Sequence, residues 1–183
     1  MKEIRQIVIA PDSFKGTMDA SQVCQIIQGS ARQYFPDAAV RCIPMADGGE
    51  GMVDAYLKLL GGRKVLLSVQ GLQGRPVACY YGILPDGTAV MEMAACAGLP
   101  LLDGALVPMH TTTYGVGEML LHAERNGVRR VLLGIGGSAT VDCGLGMAAA
   151  LGYRFLNKDG AAVEAVTCHM AEIAAIVPPA RKP

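Results

Sequence analysis

The chain has 183 residues, 51% of them hydrophobic and 17% charged, which is enough apolar material for one large domain or two small ones. Its 16 basic and 16 acidic residues give a formal net charge of zero, which removes the electrostatic case for nucleic acid or an acidic membrane as partner. No apolar run is long enough to span a membrane, residues 1–5 do not begin a signal peptide, and six scattered cysteines are typical of reduced thiols. We therefore expect a cytoplasmic protein that acts on a small molecule.

The amino-terminal third of the chain predicts two strand–loop–helix units in succession. Apolar runs predict the strands, and a period of about 3.6 residues predicts the helices. In chain order these are a strand at 7–10, a loop at 11–17, a helix at 23–34, a strand at 40–43, a loop at 45–51 and a helix at 53–60. Thr17, Asp19 and Ser21 are candidate caps of the first helix. Strands that alternate with helices predict an α/β fold with a mostly parallel sheet.

The pattern then changes to strands without intervening helices. Strands are predicted at 64–69, 76–81 and 89–93, and turn sequences join them at 71–74 and 85–87. This β-rich stretch places a domain boundary near residues 63–65. We expect a first α/β domain segment at 1–64 and a second at 65–183, β-rich at its start and incomplete at its carboxyl end.

The rest of the chain returns to βα units. Thr111, Thr112 and Thr113 are candidate caps of a helix at 116–123, which Gly127 closes. Further elements are a strand at 131–133, a helix start at 147–151, a strand at 153–156 with a hairpin turn at 157–160, and a weak helix at 161–177.

Residues 133–147 form a strand, a glycine-rich turn and a helix start, which is the arrangement of many phosphate or carboxylate sites. Gly136 and Gly137 would bring backbone N–H groups close to an anion, while Ser138 and Thr140 add hydroxyl donors and are candidate helix caps. Asp142 has the opposite charge and suits a metal ion or a proton-transfer role. The alternative is a tight turn whose glycines only allow close packing, since neither a Walker loop nor a full dinucleotide fingerprint is present.

Two other polar loops follow strands of the predicted sheet. We call residues 12–16 the first loop, 47–51 the second loop and 134–146 the third loop. Ligands of parallel sheets bind at the carboxyl ends of the strands, where all three loops would lie. Their carboxylates, one lysine, hydroxyls and glycines suit phosphoryl transfer, in which positioning and charge neutralisation dominate. Each residue also has a plainer interpretation, because Asp12 and Asp47 could cap helices and Lys15 and Glu50 could be surface charges.

Five segments of this chain resemble the signature segments of the bacterial glycerate kinases of type 1, in the same order. They are APDSFKG at 10–16, PMADGGEG at 44–51, MEMA at 91–94, TTTYGVGE at 111–118 and GIGGSAT at 134–140. The resemblance implies an ATP- and Mg²⁺-dependent kinase that converts D-glycerate to phosphoglycerate. It also implies two α/β domains, one flavodoxin-like and one often compared with restriction endonucleases, with the active site in the cleft between them.

The chain departs from the family pattern in three places. Val141 and Cys143 stand where the family usually has asparagine and glycine, and the glycine-rich continuation after Asp159 is not recognisable. Family members are also about twice as long. We therefore expect the amino-terminal part of a glycerate kinase, with a missing carboxyl-terminal half or a homo-oligomer covering its surface. The alternative is an inactive or ligand-binding α/β module for a nucleotide or small organic acid.

The residues and the resemblance together predict the following site. Lys15 would pair with a substrate carboxylate or a phosphate oxygen, and Asp12 and Asp47 would hold a metal ion or accept the hydroxyl proton. The predicted substrate- or phosphate-binding residues are Ser13, Gly48, Gly49, Glu50, Gly136, Gly137, Ser138, Thr140 and Asp142. The sequence does not separate the nucleotide loop from the glycerate loop.

Overall fold

The computed structural model describes residues 4–102, 104 and 107–180. Residues 1–3, which are part of the stretch judged not to begin a signal peptide, lie outside the described residues. Its strands, in chain order, are β1 (Gln6–Ile9), β2 (Ala39–Cys42), β3 (Arg63–Gln70), β4 (Pro76–Ile83), β5 (Thr88–Glu92), β6 (Arg130–Gly134), β7 (Arg154–Leu156), β8 (Ala162–Val163) and β9 (Ala175–Val177). Its α-helices are α1 (Ala20–Tyr34), α2 (Met52–Leu60), α3 (Ala94–Ala97), α4 (Tyr114–Arg125) and α5 (Leu145–Ala150). The predicted α/β class is confirmed.

The amino-terminal βαβ unit is built as predicted. Strands β1 and β2 pair in parallel from Gln6 opposite Ala39 to Ile9 opposite Cys42, because helix α1 carries the chain back between them. Of the candidate caps, Asp19 is the one used: its side chain accepts the N–H of Gln22, and the Gln22 side chain accepts the N–H of Asp19. This reciprocal capping box fixes where the chain leaves the first loop and enters α1.

The second sheet has the strand order β3-β4-β5-β6. Strands β3, β4 and β5 are antiparallel because the predicted turns at 71–74 and 85–87 are too short for a crossover, whereas α4 makes β5 and β6 parallel. The core of this sheet buries Tyr81, Met91, Val116 and Met119 completely. Each such side chain contributes roughly 1.5–3 kcal/mol through the area it removes from water. The sequence predicted a mostly parallel sheet, whereas this second sheet contains both antiparallel and parallel strand pairs.

Helix α2 packs against the second sheet and brings the second loop to its edge. Met52 and Val53 on the first turn of α2 form a buried cluster with Leu84 and Val90. The predicted boundary at 63–65 coincides with the start of β3 at Arg63. The division into segments 1–64 and 65–183 stays a prediction.

Apolar side chains are exposed along the edge strands of both parallel pairs. Val8 on β1 is 63% exposed, and Val131 and Leu132 on β6 are 38% and 39% exposed. Ile135, directly after β6, is 69% exposed. Parallel strands are normally covered on both faces, so this surface fits the expectation that further segments or a second copy pack there.

The helix predicted at 161–177 is wrong. The hairpin turn at 157–160 is present, with the Asn157 side chain accepting the N–H groups of Asp159 and Ala161, and it leads into β8. Residues Thr167–Glu172 form a 3-10 helix, and β9 pairs with β7. Pairing with β7 satisfies the backbone of this segment and overrides a weak helical pattern. None of the helices in the described part of the chain is long and apolar enough to cross a membrane.

Candidate functional site

An ion pair joins the first loop to the second. Lys15 Nζ lies 2.9 Å from Asp47 Oδ2, and both side chains are substantially exposed. The hydrogen bond from Lys15 holds the pKa of Asp47 below its usual range, and the same bond raises the pKa of Lys15, to which the charges of Asp12 and Glu50 add. Both shifts keep the pair charged across the neutral pH range. Lys15 is therefore a cation paired with Asp47, and the carboxylates of Asp12 and Glu50 add to the negative potential at its ammonium group.

One backbone contact joins the residues just before these two loops, and another hydrogen bond fixes the turn within the second loop. The N–H of Met45 donates to the carbonyl of Pro11 at 2.9 Å, and the Asp47 Oδ1 atom accepts the N–H of Gly49 at 3.0 Å. An open cavity of about 490 Å³ lies between the loop that enters α1 and the start of α2. Its lining includes Ser13, Lys15, Thr17, Ser21, Glu50 and Asp54.

The second and third loops touch through their backbones. The N–H of Gly136 donates to the carbonyl of Gly48 at 2.9 Å. A side chain on Gly136 would place its Cβ 2.7 Å from the nitrogen of Gly49, and one on Gly134 would overlap the carbonyl of Gly48. These glycines are needed because two main chains meet here without room for a methyl group. The structure therefore brings the three predicted loops into one continuous contact.

Ser138 and Thr140 lie farther along the third loop and do not cap a helix, so that prediction is wrong. Ser138 Oγ is 2.8 Å from Thr140 Oγ1 and also accepts the Thr140 N–H at 3.2 Å. Helix α5 begins only at Leu145, with Gly144 at its N-cap. A backbone bridge from this loop to Gly98 holds the two hydroxyl groups in place. Both residues are half-buried, so their hydroxyls line the loop surface.

Asp142 is buried, with 1% of its surface exposed, and its carboxylate is surrounded by donors. The Oδ2 atom accepts the N–H and the hydroxyl of Thr113, both at 2.8 Å, and the N–H of Gly146 at 3.0 Å. The Oδ1 atom accepts the N–H of Gly144 at 3.1 Å. The Thr113 hydroxyl in turn accepts the N–H of Met147. Asp142 thereby joins the amino-terminal ends of α4 and α5.

The family model described as "Glycerate kinase family" matches residues 7–182. This chain belongs to the glycerate kinase family. It is 46% identical to a glycerate kinase of Halalkalibacterium halodurans over 84% of this chain and 41% of that protein. It is 44% identical to the glycerate 2-kinase of Escherichia coli strain K12 over 85% of this chain and 41% of that protein.

The fold comparison agrees with the sequence comparison. A crystal structure from Salmonella typhimurium LT2 that carries the provisional name glycerate kinase 2 superposes with a TM-score of 0.77 at 39% identity. The match covers 94% of this chain and 47% of that structure. The chain thus spans less than half the length of these glycerate kinases, and the resemblance read from its segments is confirmed.

The two departures from the glycerate kinase pattern lie on either side of Asp142. Val141 is 50% exposed, so an apolar side chain faces solvent beside the third loop. Cys143 has φ +51°, which is the left-handed region that glycine adopts freely and that costs other residues roughly 1–2 kcal/mol. The burial of Asp142 among four donors stabilises this turn against that cost.

We expect Asp142→Asn to destabilise the chain by about 3 kcal/mol or more, because an amide would direct its own N–H groups at some of the donors that surround the carboxylate. Asp86→Asn is the matched control, since Asp86 also accepts an N–H and a hydroxyl, both from Thr88, but is largely exposed. Chemical denaturation measures the free energy of unfolding of both variants. An Asp142→Asn cost no larger than that of Asp86→Asn would contradict this account.

Sequence reasoning did not assign a role to Glu92, which the structure places between the second and third loops. All five residues of β5 are buried, including Glu92 at its carboxyl end, and the Glu92 Oε1 atom accepts the Val53 N–H at 2.6 Å. A lone glutamate directly after the apolar run Ala89, Val90 and Met91 was the available signal, since buried carboxylates need dedicated donors.

Among the described residues, no group of three or more His, Cys, Asp or Glu side chains has the arrangement of a metal site. Mg²⁺ seldom needs such a cage in kinases, because it keeps several waters and is held by one or two carboxylates together with substrate phosphates. The exposed carboxylates of Asp12 and Asp47 beside Lys15 fit that requirement in number and donor type.

Proposed function

We propose that the complete protein transfers a phosphoryl group from ATP to a hydroxyl of D-glycerate and that this chain supplies part of the active site. The proposal is supported by membership of the glycerate kinase family and by the names of relatives at 44–46% identity. The observation that carries it is the meeting of the three loops, where Lys15 pairs with Asp47 and Gly48 contacts Gly136.

Lys15 has the chemistry to neutralise an anionic substrate group. Its ammonium is exposed and already has Asp47 as a counter-ion, so an incoming phosphate or carboxylate oxygen replaces or shares that partner. Asp12 and Asp47 are the candidates to hold Mg²⁺ or to accept the proton of the attacking hydroxyl. Mg²⁺, when bound, neutralises charge on the phosphate oxygens.

The third loop is a candidate anion-binding site in addition to Lys15. The Gly136 N–H is already used by the Gly48 carbonyl, which leaves the backbone of Gly137 and Ser138, with the Ser138 and Thr140 hydroxyls, as the predicted donors. In the second loop, Gly48 and Gly49 allow the close backbone approach, and Glu50 faces the cavity together with Ser13. Asp142 acts on this site only by holding the final turn of the third loop.

The chain spans less than half the length of the relatives it matches, so the activity of this chain alone differs from the activity proposed for the complete protein. The exposed edges at Val8, Val131 and Leu132 are where we propose that the remaining half, or a second copy, packs. The six cysteines are unpaired, which fits a reducing compartment such as the cytoplasm. A chain without the second half would act as a binding module for nucleotide or a small organic acid, because all three loops lie within it.

Calorimetric titration of the chain with MgATP and with D-glycerate tests this proposal. We expect binding of at least one of the two ligands, weakened by Lys15→Met because the substrate anion then loses its cation. D-Lactate, which has the same configuration at C2 but lacks the second hydroxyl, and sulfate serve as control ligands. Absence of binding of both substrates to a folded chain, and to a full-length version, would contradict the proposal.

A further inference from the structure

Glu92 lies beside the start of the third loop through its backbone and beside the end of the second loop through its side chain. In the parallel register of β5 and β6, Glu92 lies opposite Gly134, and the next residue, Met93, donates its N–H to the Gly134 carbonyl at 2.8 Å. The Glu92 side chain points to the start of α2, where Oε1 accepts the Val53 N–H at 2.6 Å.

Helix α2 has no cap of its own at this end. Its N-cap is Gly51, which has no side chain and adopts φ +88°. The Met52 N–H reaches the Gly49 carbonyl at 3.3 Å, and the Val53 N–H takes its acceptor from another element. A carboxylate is the preferred group at a helix amino terminus, because it accepts these N–H groups and has a favourable interaction with the helix dipole. Glu92 supplies that carboxylate from a different strand.

We propose that Glu92 is a positioning residue of the phosphoryl-transfer site, which caps α2 and thereby holds the second loop against the third. The inference rests on the proposed function. It has a consequence for ligand binding, because the amino terminus of α2 is filled by the protein's own carboxylate. The substrate anion is therefore directed to Lys15 and to the third loop instead of to the N–H groups of α2.

The buried charge on Glu92 lowers the stability of the folded chain. This cost allows a role in the site to be distinguished from a purely structural role. Burial raises the pKa of the Glu92 carboxyl, the nearby Asp54 and Glu50 charges add to that effect, and the N–H groups of Val53 and Gly51 oppose it. Tyr80 is a further titratable group close enough for the Glu92 charge to raise its pKa. Because the folded-state pKa lies above the unfolded value, ionisation of Glu92 reduces stability as the pH rises through that interval.

A neutral glutamine therefore has two opposite effects. Glu92→Gln avoids the cost of burying a charge, so we expect the thermal unfolding midpoint at neutral pH to be unchanged or raised. The amide retains one oxygen for Val53 but loses the charge-assisted bonds that hold the second loop. We expect amide hydrogen exchange over residues 46–56 to become about tenfold faster and kcat for glycerate-dependent ADP release by the full-length protein to fall about tenfold, with a smaller change in KM.

Glu118→Gln is the matched control. Glu118 Oε2 accepts the Gln70 N–H, also at 2.6 Å, so the bond is of the same kind but lies away from the three loops. We expect this variant to leave exchange over 46–56 and kcat unchanged. Glu92→Ala, which removes the acceptor completely, should accelerate exchange over 46–56 further than Glu92→Gln does.

The exchange experiment uses this chain and requires no catalysis, so it judges the role of Glu92 even if the wild-type full-length protein releases no ADP, which would instead count against the proposed function. Unchanged exchange over 46–56 in Glu92→Gln would overturn the inference. So would a Glu92→Gln chain that fails to fold or loses stability, because the residue would then be structural. Full kcat in a full-length Glu92→Gln protein would overturn it as well.

Discussion

Lys15→Met, made in a full-length version of the protein, is expected to lower kcat/KM for glycerate-dependent ADP release about a hundredfold or more. Methionine keeps most of the side-chain length but removes the only cation contributed by the first two loops. Losing one electrostatic contact to the transferring group or the substrate carboxylate typically has an effect of this size. Stability should change little, because the Lys15 side chain is 70% exposed and buries little surface.

Lys64→Met is the matched control for this experiment. Lys64 also forms an exposed ion pair with an aspartate, Asp54, at 2.7 Å, but lies on β3 and outside the three loops. Its loss should leave turnover near the wild-type value. If Lys15→Met and Lys64→Met had equally small effects on turnover, Lys15 would be an ordinary surface charge and the site assignment would be wrong.

Gly136→Ala is expected to have the second large effect, on both activity and stability. The added Cβ would stand 2.7 Å from the Gly49 nitrogen and 3.0 Å from the Gly48 carbonyl carbon, and these backbone atoms cannot move aside cheaply. Separating the second and third loops breaks the hydrogen bond from Gly136 to Gly48. We expect destabilisation of about 1–3 kcal/mol, measured by denaturant unfolding, and an activity loss of about tenfold or more.

Gly29→Ala is the control for the size of a glycine-to-alanine change. Gly29 lies inside α1 and has open space around it, so alanine should stabilise the chain by roughly 0.5–1 kcal/mol through its better helix propensity. Opposite signs for the two variants are the expected result. A Gly136→Ala chain as stable and active as Gly29→Ala would show that the close approach of the two loops is not required.

The parts of the fold that depend on local pattern were predictable from the sequence. The strands before the three loops, the helix that Asp19 caps and the turn at 157–160 follow from apolar runs and turn residues. The segment at 161–177 was not predictable in this way, because its structure depends on pairing with β7. A weak helical pattern carries no information about a strand partner that is distant in sequence.

The same distinction between local sequence pattern and tertiary packing applies to the candidate site. The loops and their glycines could be identified from residue type and order, whereas the contacts among them, such as Gly48 with Gly136, depend on tertiary packing. Asp142 and Glu92 illustrate the limit most clearly. Both are carboxylates near glycine turns, and only their burial among N–H donors distinguishes a residue that positions the backbone from one that faces a ligand.

A coupled assay of ADP release with ATP, Mg²⁺ and D-glycerate tests the central claim most directly. It should be run on this chain and on a version extended to the full length of the glycerate kinases it matches, with and without glycerate. We expect ADP release by the full-length version that depends on D-glycerate and is lost when Lys15 is replaced by methionine. ADP release at the same rate without glycerate, or none at all from a folded full-length protein, would contradict the account.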